Sequence, residues 1–242
     1  MKACLLVSGH LRTFQDCLES QRKHILQNID CDVFIHTWSH LEATTKSWHN
    51  NHMNNRKVQK TDISFIEETL NPKRLVVEDQ KDFGLDRNLH GSSISLNGLK
   101  NMTYGFKQTY NMMKEYEQEN SIKYNYIIKI RPDIMMKKPF DKYLLPREDQ
   151  FITFFGNQVP VANQQRERKY YHNFRALDIL SICTNDSAAR GVYNLFDNFE
   201  KYYKKESWHH SPYLDYVIDE NIDFDICLRY LYGASWEIKR GA

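Results

Sequence analysis

The chain has 242 residues, 41% of them hydrophobic, with a formal charge of +2. That supplies enough apolar matter for one large domain with a real core, and the charge balance excludes a dedicated nucleic-acid binder. No stretch approaches the roughly 18 consecutive apolar residues of a membrane span, and the apolar run Ala3–Val7 is too short for a secretory leader before Arg12 and Asp16 follow.

Residues 2–8, KACLLVS, form an apolar, strand-like run followed by Gly9 and then His10-Leu11-Arg12. Phe14, Cys17, Leu18, Ile25 and Leu26 fall along one side of a helix over Thr13–Asn28, with Thr13 placed to cap it. A strand, a Gly turn and a helix together offer backbone N–H groups to phosphate. Ser8-Gly9-His10-Leu11-Arg12 is neither a dinucleotide fingerprint nor a Walker loop, so a simple tight turn with a solvated Arg12 is the equal alternative. Cys31–Trp38, CDVFIHTW, predicts a second strand ending in His36-Thr37-Trp38. There His36 is either a ligand contact or a satisfied core histidine, and Trp38 either a stacking platform or a cover for the sheet edge.

Residues 39–60 are polar and predict a surface loop. A short helix over Asp62–Leu70 precedes Pro72, a third strand covers Arg74–Val77, and Asp79 falls just beyond it. After a second loop over residues 80–96, Met102, Phe106, Tyr110, Met113 and Tyr116 recur at steps of three and four. They predict a helix over Leu99–Tyr116 with a core-facing stripe. Tyr104 and Lys107 lie off that stripe, within reach of a site.

Tyr126–Ile130 is a short β-branched run that suits a buried strand. Pro132 lacks the N–H a ladder needs and ends it near Arg131. Asp133 then stands at the strand's carboxyl end, where open α/β sheets bind ligands. It is either a metal or ligand contact or the residue that makes the turn after Pro132.

The second half reads as a strand over Phe151–Phe155, a polar loop over 156–172 and a mixed segment Arg175–Cys183. A helix over Ser187–Tyr203, a helical stretch Pro212–Ile218 and a strand Phe224–Tyr232 follow. The alternation in the first half predicts an α/β fold, a mainly parallel sheet flanked by helices, continued by a mixed α+β second half. The division is 1–138 and 139–242 within a single domain. Five cysteines without a CxxC pair predict reduced, buried thiols and a cytoplasmic protein, with contact to membranes limited to peripheral association.

Strand ends thus collect Ser8-Gly9-Arg12, His36-Thr37-Trp38, Asp79 and Arg131-Asp133. Cationic and amide donors beside a carboxylate suit a phosphate bridged by Mg²⁺ or Mn²⁺. LLVSGHLRTF, CDVFIHTW and YNYIIKIRPDIMM together resemble the small GT-A glycosyltransferases of bacterial capsule clusters and large viruses. The resemblance implies a GT-A-like fold, a nucleotide-sugar donor (UDP- or GDP-linked) and a glycan acceptor. It also implies a divalent metal (Mn²⁺ or Mg²⁺) held by the family's D-x-D motif. Here Arg131-Pro132-Asp133 stands at that motif, keeping its last carboxylate as the metal ligand and replacing its first with Arg131, which puts metal dependence in question. The donor contacts it implies are Ser8, Gly9, Arg12, His36, Thr37, Trp38, Asp79, Tyr104, Lys107, Arg131 and Asp133. It also marks Asp178 as the base that accepts the acceptor's hydroxyl proton, with Glu206, His209 and His210 at a late acidic or metal position. The alternatives are a degenerate, non-catalytic nucleotide-sugar binder and a nucleotidyltransferase, against which the lone Asp133 argues.

Overall fold

A computed structural model describes residues 2–41, 59–86, 88, 95–140, 145–146, 152–154, 180–185, 192–203, 224–226 and 235–239. Four strands, β1 (Ala3–Ser8), β2 (Cys31–Trp38), β3 (Arg74–Glu78) and β4 (Tyr126–Ile130), match the four apolar runs of the first half. β1 lies parallel to both β2 and β4, and β2 parallel to β3. β6 (Ile152–Phe154), β7 (Leu180–Thr184) and β8 (Phe224–Ile226) extend the same sheet. Its order among the described residues is β3-β2-β1-β4-β7-β6-β8. β7 runs antiparallel to β4 and β6, while β6 and β8 are parallel to each other. The result is a mixed, mainly parallel α/β sheet of the Rossmann kind, with strands from both halves of the chain in one sheet.

Both faces are covered, which is why β1 is apolar throughout. Ala3, Leu5 and Val7 face a cluster with Phe14, Leu18 and Ile25 on one side. Cys4 and Leu6 face Phe106, Tyr110 and Met113 on the other. The first side is built by α1 (Phe14–Gln21), which passes into a π-helical turn over Arg22–Leu26, and by α2 (Ile63–Leu70), capped by the Asp62 carboxylate accepting from Phe65 N. The second is built by α3 (Leu96–Asn120), whose N-cap Ser95 accepts from Gly98 N. The expected stripe on α3 faces the core as Phe106, Tyr110 and Met113, with Met102 and Tyr116 at its margin.

Four expectations need correction. Thr13 does not cap α1; its hydroxyl donates to Lys239 O at 3.0 Å instead. The α3 helix starts at Leu96, because Ser95 supplies a cap that the apolar stripe alone does not reveal. The expected single helix over Ser187–Tyr203 is, in its described part, a 3-10 turn Val192–Leu195 and then α4 (Phe199–Tyr203). Ile134–Met136, read only as an apolar patch, is strand β5, paired antiparallel with an unexpected β9 (Trp236–Ile238). The helical stretch Pro212–Ile218, the polar loop over 156–172, Asp178, Glu206, His209, His210 and Cys227 lie outside the described residues. Among the described residues no helix is long and apolar enough to cross a membrane.

Candidate functional site

The chain runs outward from β1 to β2 to β3, then crosses back on α3 to place β4 on the other side of β1. The strand order therefore reverses between β1 and β4, and their carboxyl ends meet there. In open α/β sheets this switch point is where ligands bind. Gly9 leaves β1 with φ +130, a conformation that favours glycine. A side chain at Gly9 would reach Pro132 at 3.4 Å, so the turn after β1 and the end of β4 are in contact. Gly9 is fixed further by its N–H donating to His36 O and by the Thr37 hydroxyl donating to its own carbonyl at 2.9 Å. Thr37 thus shapes the turn from a fully buried position.

At the end of β4, Arg131 grips Asp133 in a two-point fork, Nε to Oδ1 at 3.0 Å and Nη2 to Oδ2 at 2.6 Å. Asp133 is 2% exposed, while the Arg131 side chain keeps 22% exposure. The backbone of this turn is pinned from two sides. The buried Gln21 amide donates to Pro132 O at 3.2 Å and Ile134 O at 2.8 Å. Lys239 N donates to Asp133 O at 2.8 Å. His10, between Gly9 and Arg12, donates from Nδ1 to His40 O at 3.2 Å. Its pKa is lowered to about 4, first by burial and then by the like charges of Arg12 and Arg131.

On the α3 side of the strand ends lies an aromatic group. Trp38 is stacked on Tyr104 with centroids 6.2 Å apart, and His36 meets Trp38 edge-on at 4.9 Å. His36 Nε2 bonds Glu78 Oε1 at 2.8 Å, and Glu78 also pairs with Lys81 at 3.0 Å. Burial pushes the His36 pKa down against the raising influence of Glu78. Its buried Nδ1 has no hydrogen-bond partner. The Nδ1 edge and Ser8 Oγ face Gly105 of α3, where an added Cβ would stand 3.1 and 2.3 Å from them. Gly105 is what lets α3 lie this close to the sheet.

The expected residues therefore separate. Ser8, Gly9, Arg12, His36, Thr37, Trp38, Arg131 and Asp133 sit at adjacent strand ends, and Tyr104 joins them through the aromatic stack. Asp79, beyond β3, accepts from the Ser39 hydroxyl toward the sheet's edge. Lys107 turns away, pairing with Asp197 at 2.7 Å and Asn194 at 3.1 Å beside the 3-10 turn. Sequence reasoning missed His10, Gln21 and the β9–Lys239 strap. His10 stood in plain view between Gly9 and Arg12, whereas the other two act through backbone contacts that no motif encodes.

The expected metal fits this arrangement poorly. Both oxygens of Asp133 are engaged by a guanidinium, and a second cation on the same carboxylate meets its repulsion. Among the described residues no three His, Cys, Asp or Glu side chains converge as metal ligands. Compared with known proteins, the chain matches no family model and no curated protein.

Proposed function

We propose that the protein is a glycosyltransferase of GT-A-like fold that moves a sugar from a UDP- or GDP-linked donor to a hydroxyl of a glycan acceptor in surface, capsular or glycoprotein glycan synthesis. The observation that carries this reading is the meeting of the Gly9 turn with the Arg131-Pro132-Asp133 turn at the order reversal of a Rossmann-like sheet. Arg12 follows the first of these turns and Arg131 opens the second. Backbone amides at a strand-to-helix turn and a nearby guanidinium recognise phosphate. Tyr104, stacked on the buried Trp38, and Glu78 supply an aromatic ring and a carboxylate of the kind that a nucleoside engages.

The reaction breaks the bond between the anomeric carbon and the β-phosphate oxygen, whose electron pair stays with the departing diphosphate. Cations held at the strand ends stabilise that developing charge. In an inverting transfer the acceptor oxygen attacks the anomeric carbon and Asp178 receives its proton.

The test is release of free nucleoside diphosphate from a panel of UDP- and GDP-sugars, with and without glycan acceptors. Slow hydrolysis without acceptor, accelerated by one acceptor class, supports the reading. Tight binding without turnover of any donor assigns the chain to the degenerate binders, a reading that the Arg131–Asp133 fork itself favours. Asp178→Asn should lower transfer by roughly 10²–10⁴-fold with donor binding retained.

A further inference from the structure

We infer that Arg131, clamped by Asp133, takes the place of the divalent cation on the donor's diphosphate, so that this site binds nucleoside diphosphates without metal. The inference rests on the nucleotide-sugar reading above. Charge makes the case first. Two carboxylates and one divalent cation sum to zero formal charge, and so do one guanidinium and one carboxylate. Replacing the first acid of an acid-x-acid motif by Arg131 thus delivers in one side chain the charge change that a metal would bring. Geometry makes it second. The fork uses Nε and one Nη donor of Arg131. It fixes the plane of the group, and the side chain keeps its 22% exposure. Asp133, at 2% exposure, is in the position of a clamp rather than of an open ligand.

The surroundings agree. The clamp's own backbone is held by Gln21 and by Lys239 N, so the guanidinium is presented from a braced turn. The turn from Gly9 toward Arg12 lies against Pro132, the residue after Arg131, so the two arginines belong to turns that touch. An arginine fork matches phosphate geometry where a lysine or a hydrated ion does not. In this assignment Arg131 touches the diphosphate and Asp133 is a positioning residue acting through it.

The experiment is calorimetric titration of UDP and of GDP into the full chain, once in EDTA and once in Mn²⁺ at matched ionic strength. The nucleotide that binds should do so with the same Kd, within about twofold, in both buffers. Arg131→Ala should weaken it about tenfold or more in both, the scale of one lost charge-assisted contact, and Arg131→Lys should fall between. Asp133→Asn should weaken binding several-fold with no change in metal response. Arg131→Asp, which rebuilds two acids two positions apart, should bind weakly in EDTA and recover in Mn²⁺. Thermal melts select variants that fold, and Arg131→Lys answers the question if Arg131→Ala does not. Wild-type binding that collapses in EDTA overturns the inference while leaving the nucleotide-sugar reading intact. So does wild-type affinity in folded Arg131→Ala or Arg131→Lys. Failure of both UDP and GDP to bind in either buffer overturns the nucleotide-sugar reading itself.

Discussion

The two ends of the parallel strands handle charge in opposite ways. At the amino ends each buried or half-buried carboxylate is surrounded by donors from several elements. Asp32 accepts from the Tyr124 hydroxyl at 2.6 Å and pairs with Lys2 at 2.9 Å and Lys73 at 3.6 Å. Glu117, 5% exposed on α3, accepts from Tyr124 N at 2.7 Å, from the Asn185 amide and from Lys114 at 2.5 Å. At the carboxyl ends the buried Asp133 is held by the fork of Arg131, and the half-buried Glu78 meets His36 and Lys81. The first end joins α3, β4 and β7 into one body. The second presents a partly exposed guanidinium, that of Arg131, from a turn braced from behind. Parallel strands make the contrast possible, because every strand of the first half delivers the same end to the same edge.

The strongest way to break the comparison is at the amino end. Glu117→Ala strands the buried Tyr124 N–H and the Asn185 amide, at about 1–3 kcal/mol each. Urea unfolding should show the loss while UDP or GDP affinity stays unchanged in the folded fraction. Gly105→Val drives a side chain into Ser8 and His36; overpacking of this kind costs about 1–3 kcal/mol, and here nucleotide affinity should fall as well, because the displaced groups are at the strand ends. Gln21→Leu removes two hydrogen bonds from the clamp's backbone, at about 0.5–1.5 kcal/mol each. It should lower nucleotide affinity several-fold for a small drop in melting temperature, the reverse of the Glu117 pattern. The mildest test is acid. His10 and His36 both have lowered pKa values from burial. The unfolded chain takes up those protons near pH 6.5, whereas folded His10 waits until about 4. Stability is therefore full above about pH 6.5 and declines as pH falls toward 4, and His10→Gln should flatten that decline in melts recorded across the range.

The first half of the fold was legible chiefly because β1, β2 and β4 are buried on both faces. Runs such as Cys4-Leu5-Leu6-Val7 and Tyr126–Ile130 have no competing helical period, and Pro132 marks where β4 must stop. The long helix showed through its stripe, though its true start depended on Ser95, a single hydroxyl. β5 and β9 stayed hidden because each has three residues and its strand partner is about a hundred positions away. The same holds for the site. Gly9, Arg131 and Asp133 announce themselves by residue type, since a positive φ, a guanidinium and a carboxylate are chemically distinctive. The partner of Lys107 was not legible, because a position on a helix says nothing about which neighbour a cation will find, and Asp197 is that neighbour. Gln21 was silent because a buried amide bonding two carbonyls leaves no pattern in the chain around it.

The strap at Lys239 also sets an order in time. Its carbonyl receives Thr13 and its N–H holds Asp133, so one residue ties the turn after β1 to the turn after β4. Residues 13 and 133 leave the ribosome well before residue 239. At about 5–20 residues per second, the interval after β4 is roughly 5–20 s. Throughout it Ile134–Met136 is an apolar strand without its partner, an open edge of the kind that recruits other chains. Nascent protein passes through a stage in which β1 to β4 can pair while the turn at Asp133 lacks its strap, and that is the stage at which a chaperone has something to hold.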